Sequence, residues 1–188
     1  MSASPEDSER RPCPGGPGAD DIEGLGGDDI LSGDAGSDDL SGGADDDTLS
    51  GDTGSDDLSG GPGDDALDGG PDGDTLHGDL GFDALTYVSM TTRVWVSLND
   101  LADDGGLNEG DNISVDVESV SGSPKNDFFV GSGGPNTFSG GAGNDRFKGR
   151  GGNDELFGRA GDDRFDGGAG SDLCQQGPGT GTKINCEL

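Results

Sequence analysis

From Gly15 to Thr86 the chain repeats itself every nine residues without a break: GGPGADDIE, GLGGDDILS, GDAGSDDLS, GGADDDTLS, GDTGSDDLS, GGPGDDALD, GGPDGDTLH and GDLGFDALT. The eighth place is always aliphatic (Ile22, Leu31, Leu40, Leu49, Leu58, Leu67, Leu76, Leu85). The sixth is always aspartate (Asp20, Asp29, Asp38, Asp47, Asp56, Asp65, Asp74, Asp83). A second run starts at Gly122 and ends at Gln175: GSPKNDFFV, GSGGPNTFS, GGAGNDRFK, GRGGNDELF, GRAGDDRFD and GGAGSDLCQ. Its sixth places hold Asp127, Asn136, Asp145, Asp154, Asp163 and Asp172, and its eighth hold Phe129, Phe138, Phe147, Leu156, Phe165 and Cys174. A unit this short cannot bury a core alone, so successive units must stack and share one. The residues closing each repeat, such as Asp39-Leu40-Ser41, read as a short strand whose middle side chain points inward. The expected class is all-β.

Without that register the composition would read as disorder: hydrophobic residues are 27%, and 40 Asp and Glu face 10 Lys and Arg. A formal charge of −30 argues against nucleic acid or an anionic membrane as partner and favours cations. No apolar run is long enough for membrane insertion. Met1–Arg11 is polar and lacks the apolar centre of a signal peptide.

These segments resemble the GGxGxDxUx nonapeptide of the RTX (repeats-in-toxin) proteins. The resemblance implies a right-handed parallel β-roll, here two arrays joined by a short spacer. It further implies two nonapeptides per turn and calcium ions held in the turns between coils. The residue types suit that chemistry. Glycine permits positive φ and close approach of carbonyls to an ion. Calcium takes six to eight oxygens from carboxylates and main-chain carbonyls alike.

In such a roll, repeats two apart stack. Asp20, Asp38, Asp56 and Asp74 would line one edge, and Asp29, Asp47, Asp65 and Asp83 the other. The second run would line up Asp127, Asp145 and Asp163, and opposite them Asn136, Asp154 and Asp172. These fourteen are the candidate metal ligands. Ions between stacked neighbours would number roughly six in the first array and roughly four in the second, about ten in all. Asn136 lacks a charge and marks the weakest site. Asp45 and Asp72 replace the fourth-place glycine, and Leu25, Arg150 and Arg159 the second. These changes either distort the turn or, for the two aspartates, add oxygen ligands. Two leucines per coil make a thin core, at about 1.5–3 kcal/mol each. Fixing the backbone costs about 1–2 kcal/mol for every residue. Folding is therefore expected to require the metal.

The expected division is a disordered tail over 1–14, the first array over 15–86, a spacer with strands over 87–121, the second array over 122–175 and a cap over 176–188. Gly15–Thr86 has 21 acidic residues and no basic one, whereas Gly122–Gln175 has 8 acidic and 6 basic. The first array is thus expected to depend more strictly on calcium. The acidic seventh-place column Asp21, Asp39 and Asp57 reads as a solvated face. In the spacer, Arg93–Leu98 alternates like a strand and Val120 falls at an inward place. That pattern favours a bulge continuing the roll over a ligand platform at Trp95. A disulfide between Cys174 and Cys186 would cap the open end of the roll and suit an oxidising compartment. Cys13 has no obvious partner.

His77 is the only histidine, which leaves no companions for a triad or zinc site. No nucleophile elbow or phosphate loop is present. The expected role is not an enzyme but a calcium-binding, calcium-folded module of a secreted or extracellular protein, its protein partner open. The alternative is the repeat region of a larger secreted hydrolase or toxin. An adhesive roll would want a regular outward Thr or Asn array, which the ninth places do not supply.

Overall fold

The nine-residue register alternates strands between two parallel sheets that share one core. In a computed structural model of the chain, the structure describes residues 12–99, 101, 103–107 and 109–187. Among them there is no helix. One sheet runs unbroken along the molecule with nine strands: Pro12–Pro17, Ile30–Ala35, Thr48–Ser50, Ala66–Asp68, Ala84–Thr86, Ser119–Ser121, Thr137–Ser139, Glu155–Phe157 and Leu173–Gln175. The other side is divided. Asp21–Gly26, Asp39–Ala44, Asp57–Pro62, Thr75–Leu80 and Asn112–Ile113 form its first part. Trp95–Ser97, Phe128–Val130, Arg146–Lys148, Arg164–Asp166 and Thr182–Ile184 form its second. The result is a β-solenoid of about nine turns, a β-roll.

Every eighth-place side chain from Ile22 to Cys174 lies in a single continuous core. Strand pairing places identical repeat positions on one another, such as Leu40 on Leu58 and Phe147 on Phe165. Phe129, Phe147 and Phe165 stack at 5.1 and 5.0 Å between centroids, with ring planes 5° apart. Seventh places such as Asp21, Asp39 and Asp57 are exposed, as a period of two requires. Several first-array strands span six residues rather than the expected three, because the ladder continues into the glycine turn, with Leu25 beside Gly43 and Gly61 beside Asp79.

At three second places that lack glycine the backbone is still left-handed: φ is 77° at Leu25, 74° at Arg150 and 68° at Arg159. These substitutions therefore keep the turn rather than distort it, at a cost of about 1–2 kcal/mol for each side chain held there. Asp45 and Asp72 also adopt positive φ, 78° and 87°.

The spacer is part of the roll. Val94, Val96 and Leu98 enter the core while Trp95 faces out. Val120 sits between Leu85 and Phe138 in the unbroken sheet. A sulfur–sulfur bond of 2.03 Å joins Cys174 to Cys186, and Thr182–Ile184 adds a strand beside Arg164–Asp166. The first strand starts at Pro12, ahead of Gly15, and puts Cys13 at the inward place beside Leu31. The remainder of the expected tail, 1–11, lies outside the described residues.

Candidate metal centre

Ten of the sixth-place aspartates close the turn by reaching one coil back. The Oδ1 of each accepts the main-chain N–H of the sixth-place residue 18 positions earlier. On one edge Asp38 accepts from Asp20, Asp56 from Asp38 and Asp74 from Asp56, at 2.7, 2.9 and 2.9 Å. On the other, Asp47 accepts from Asp29, Asp65 from Asp47 and Asp83 from Asp65, at 2.7, 2.7 and 2.9 Å. In the second run Asp145 accepts from Asp127, Asp163 from Asp145, Asp154 from Asn136 and Asp172 from Asp154, at 2.9 to 3.0 Å. All fourteen sequence candidates thus stand in the four stacked columns.

The second carboxylate oxygen is what makes these columns unusual. Oδ2 is buried and has no hydrogen-bond partner at Asp38, Asp47, Asp56, Asp65, Asp74, Asp83, Asp127, Asp145, Asp154 and Asp172. A polar atom buried without a partner carries an uncompensated desolvation cost of about 1–3 kcal/mol, more when it is charged. Here the same unmet need recurs in coil after coil.

The space beside these oxygens is shaped by the first-place glycine. A Cβ added to Gly42 would lie 2.5 Å from Asp47 Oδ2 and 2.6 Å from the Gly60 carbonyl oxygen. At Gly33 it would meet Asp38 Oδ2 at 2.5 Å and the Gly51 carbonyl oxygen at 2.8 Å. A carboxylate and a main-chain oxygen border the same space at Gly51, Gly122, Gly149 and Gly167. Among the described residues no three His, Cys, Asp or Glu side chains converge on one point. An ion in these turns would draw its remaining oxygens from the main chain, as a hard cation accepts.

The other four candidates differ. Asp163 Oδ2 accepts from Gln176 Nε2 at 2.8 Å. Asn136 Oδ1 accepts from Ser132 N at 2.8 Å. Asp20 and Asp29 occupy the first pair of repeats, where the columns begin. Asp45, weighed as an extra ligand, has its carboxylate on Gly27 N at 3.2 Å.

The sequence reading missed three acids in the spacer. Asp111 Oδ1 accepts from Asp74 N at 3.1 Å and Glu118 Oε2 from Asp83 N at 3.0 Å, so both extend the columns of the first array. Their signal was an acid two places before an inward residue, in Asp111-Asn-Ile113 and Glu118-Ser-Val120, hidden by loss of the nine-residue spacing. Asp111 has both oxygens occupied, since Oδ2 accepts from the Tyr87 hydroxyl at 2.6 Å. Asp104 accepts from Ser97 N and from Ile113 N, so it ties the two parts of the divided sheet together.

Burial raises the carboxyls of Asp47 and Asp154 to about 6, and those of Asp74, Asp83 and Asp145 to about 7. The main-chain N–H bonds pull the other way but do not prevail. For an acid raised in the folded state, the stabilising contribution is complete below its ordinary value near 4 and is lost as pH rises through 6 to 7. Acidifying the metal-free chain from about pH 7.5 to about pH 5 should therefore increase its order, while protons compete with metal and weaken binding. Circular dichroism in chelator across that range would show this; an unchanged or falling β signal on acidification would contradict it.

Comparison with known families matches a model described as the RTX calcium-binding nonapeptide repeat in four copies, over residues 14–49, 50–85, 121–156 and 140–174. No curated protein matches the chain.

Proposed function

Because the chain belongs to the RTX calcium-binding nonapeptide repeat family, we propose that it binds calcium through its sixth-place side chains and folds when it does so, as a module of a secreted protein. The observation that carries this is the set of buried Oδ2 atoms that have no hydrogen-bond partner among the described residues, six of them beside a first-place glycine whose added Cβ would also meet a main-chain carbonyl oxygen. Calcium would supply a doubly charged centre that joins carboxylates and carbonyls of successive coils and removes the repulsion between stacked acids. The ligands would be Asp38, Asp47, Asp56, Asp65, Asp74 and Asp83 in the first array and Asp127, Asp145, Asp154 and Asp172 in the second. Asp20, Asp29, Asn136 and Asp163 would complete the columns. Asn136, with an amide oxygen already engaged, belongs to the weakest site.

A secreted setting is supported by the chemistry. Extracellular calcium modules work at dissociation constants of about 10⁻⁴ to 10⁻³ M, and the Cys174–Cys186 disulfide suits an oxidising compartment. The chain would then remain unfolded where calcium is scarce and fold where it is plentiful.

Calorimetric titration of the whole chain with calcium should give about ten ions taken up, together with the appearance of β structure. A stoichiometry of one or two would sink the assignment. The two halves should respond differently. The second array has near-balanced charge and a stacked phenylalanine core, so it should order at lower calcium than the first. Trp95 fluorescence, reporting the second part of the divided sheet, should change before the bulk of the circular dichroism signal. Coincident midpoints would count against the asymmetry.

A further inference from the structure

By sequence, residues 176–184 read as part of a cap, yet in the roll they form one more coil. Strand pairing sets Arg164 against Thr182, Phe165 against Lys183 and Asp166 against Ile184, the same two-repeat step found throughout. Counting back from these, Gln176 stands at the first place and Gly181 at the sixth. Both depart from the repeat. Every full unit of the two arrays has glycine first and an acid or amide sixth. These are the two places that shape the metal turn.

The Gln176 side chain lies in the turn of Asp163. Its Nε2 donates to Asp163 Oδ2 at 2.8 Å and to the Gly161 main-chain oxygen at 2.7 Å. A carboxylate and a main-chain carbonyl are also the two kinds of oxygen that border the space at the other turns. Earlier on the same edge, Asp127 Oδ2 and Asp145 Oδ2 are buried with no hydrogen-bond partner among the described residues. Gln176 Oε1 is likewise buried without one, so the amide is held by its donor end. Gly181 makes room for it, because a Cβ there would run into Oε1. Gly181 also removes the acid that would follow Asp163 in the column. With no second carboxylate to neutralise on that side, an uncharged donor is enough to satisfy Asp163. The inward place is closed as well. Lys183 Nζ donates to the Cys174 main-chain oxygen and lies 6.0 Å from the centre of the Phe165 ring.

We propose that the Gln176 amide takes the place of a calcium ion in the last turn of this edge, so that the column of ions ends at Asp145 and the roll is closed there by a turn that needs no metal. The inference rests on the calcium reading above. The NH2 group carries two hydrogens, one for each of the two oxygens it meets. Calcium would join the same kinds of oxygen through its charge and would ask for six to eight of them. The last coil cannot supply so many, because Gly181 brings no carboxylate. Lys183 completes the stop. A further coil would have to lay an apolar side chain against a buried ammonium, which is unfavourable, so the exposed end of the roll is protected from continued stacking.

Bound ions would be counted by native mass spectrometry on the whole chain in saturating calcium, with circular dichroism of the same samples reporting the fold. The parent should carry about ten. Asp145→Asn should carry one fewer, and Asp163→Asn as many as the parent, although both change a sixth-place acid. Gln176→Glu exchanges the donor for an acceptor of the same shape. It sets two carboxylates and a carbonyl around one space, so it should take up one ion more than the parent. Gln176→Gly combined with Gly181→Asp rebuilds the ordinary repeat and should gain an ion too, which decides the matter if Gln176→Glu does not fold. A parent that takes up one or two ions, or none, fails the calcium reading itself. A parent with about ten whose Asp163→Asn variant loses an ion, or whose folded Gln176 variants gain none, overturns this inference alone.

Discussion

In excess EDTA the chain is expected to lose its β-sheet circular dichroism and become rapidly cleaved by protease, and to recover both when calcium is restored. The expected effect is the whole fold, because the roll contains little else that could hold it. Among the described residues ten buried Oδ2 atoms have no hydrogen-bond partner, and the acids that carry them stack at every second repeat. The aliphatic core is continuous but only one side chain wide per strand. Each calcium site contributes about 2.7 kcal/mol when free calcium stands 100-fold above its dissociation constant. Several such sites acting together exceed the net stability of an ordinary domain, about 5–15 kcal/mol. A chelated sample at neutral pH that stays compact and resists protease would refute this account.

Gly42→Ala is the second change with a large expected effect. The added methyl would occupy the cradle between Asp47 Oδ2 and the Gly60 carbonyl, so it should delete one calcium from the stoichiometry and raise the calcium midpoint. The loss should be on the order of 3 kcal/mol, the contribution of one site at calcium 100-fold above its dissociation constant. Gly42 has no positive φ, so the cost of the variant is the steric one of displacing the Asp47 carboxylate and the Gly60 carbonyl, which circular dichroism in saturating calcium reads separately from the stoichiometry. Gly133→Ala is the control. A Cβ there meets nothing within 4 Å, and the variant should behave as the parent. Equal stoichiometry for Gly42→Ala and parent would show that the cradle does not hold the ion.

Most of the architecture was legible in advance because the signal is local. A side chain two before the inward leucine must fall at the end of the preceding turn, whichever coil it belongs to. With the two repeats per turn that the resemblance implies, the register placed Asp47 beside Asp29 and Asp65, and Leu49 beneath Leu31. The spacer resisted the same reading. Its acids Asp111 and Glu118 are seven residues apart rather than nine, and Asp104 works through a loop that doubles back beside Trp95. A strand, Pro12–Pro17, precedes the first full nonapeptide, with Cys13 packed at the inward place although it does not look like a leucine.

The sequence by itself determined that the repeats stack and which side chains face inward and outward, since these follow from a nine-residue period laid on a two-residue alternation; the four rows of acids followed from the two repeats per turn that the family resemblance implies. Only the tertiary structure decided which carboxylate oxygens are paired and which are left over, and how Asp104, Asp111 and Glu118 join the two arrays. Those depend on contacts between residues a full coil or more apart, across a spacer whose length obeys no repeat.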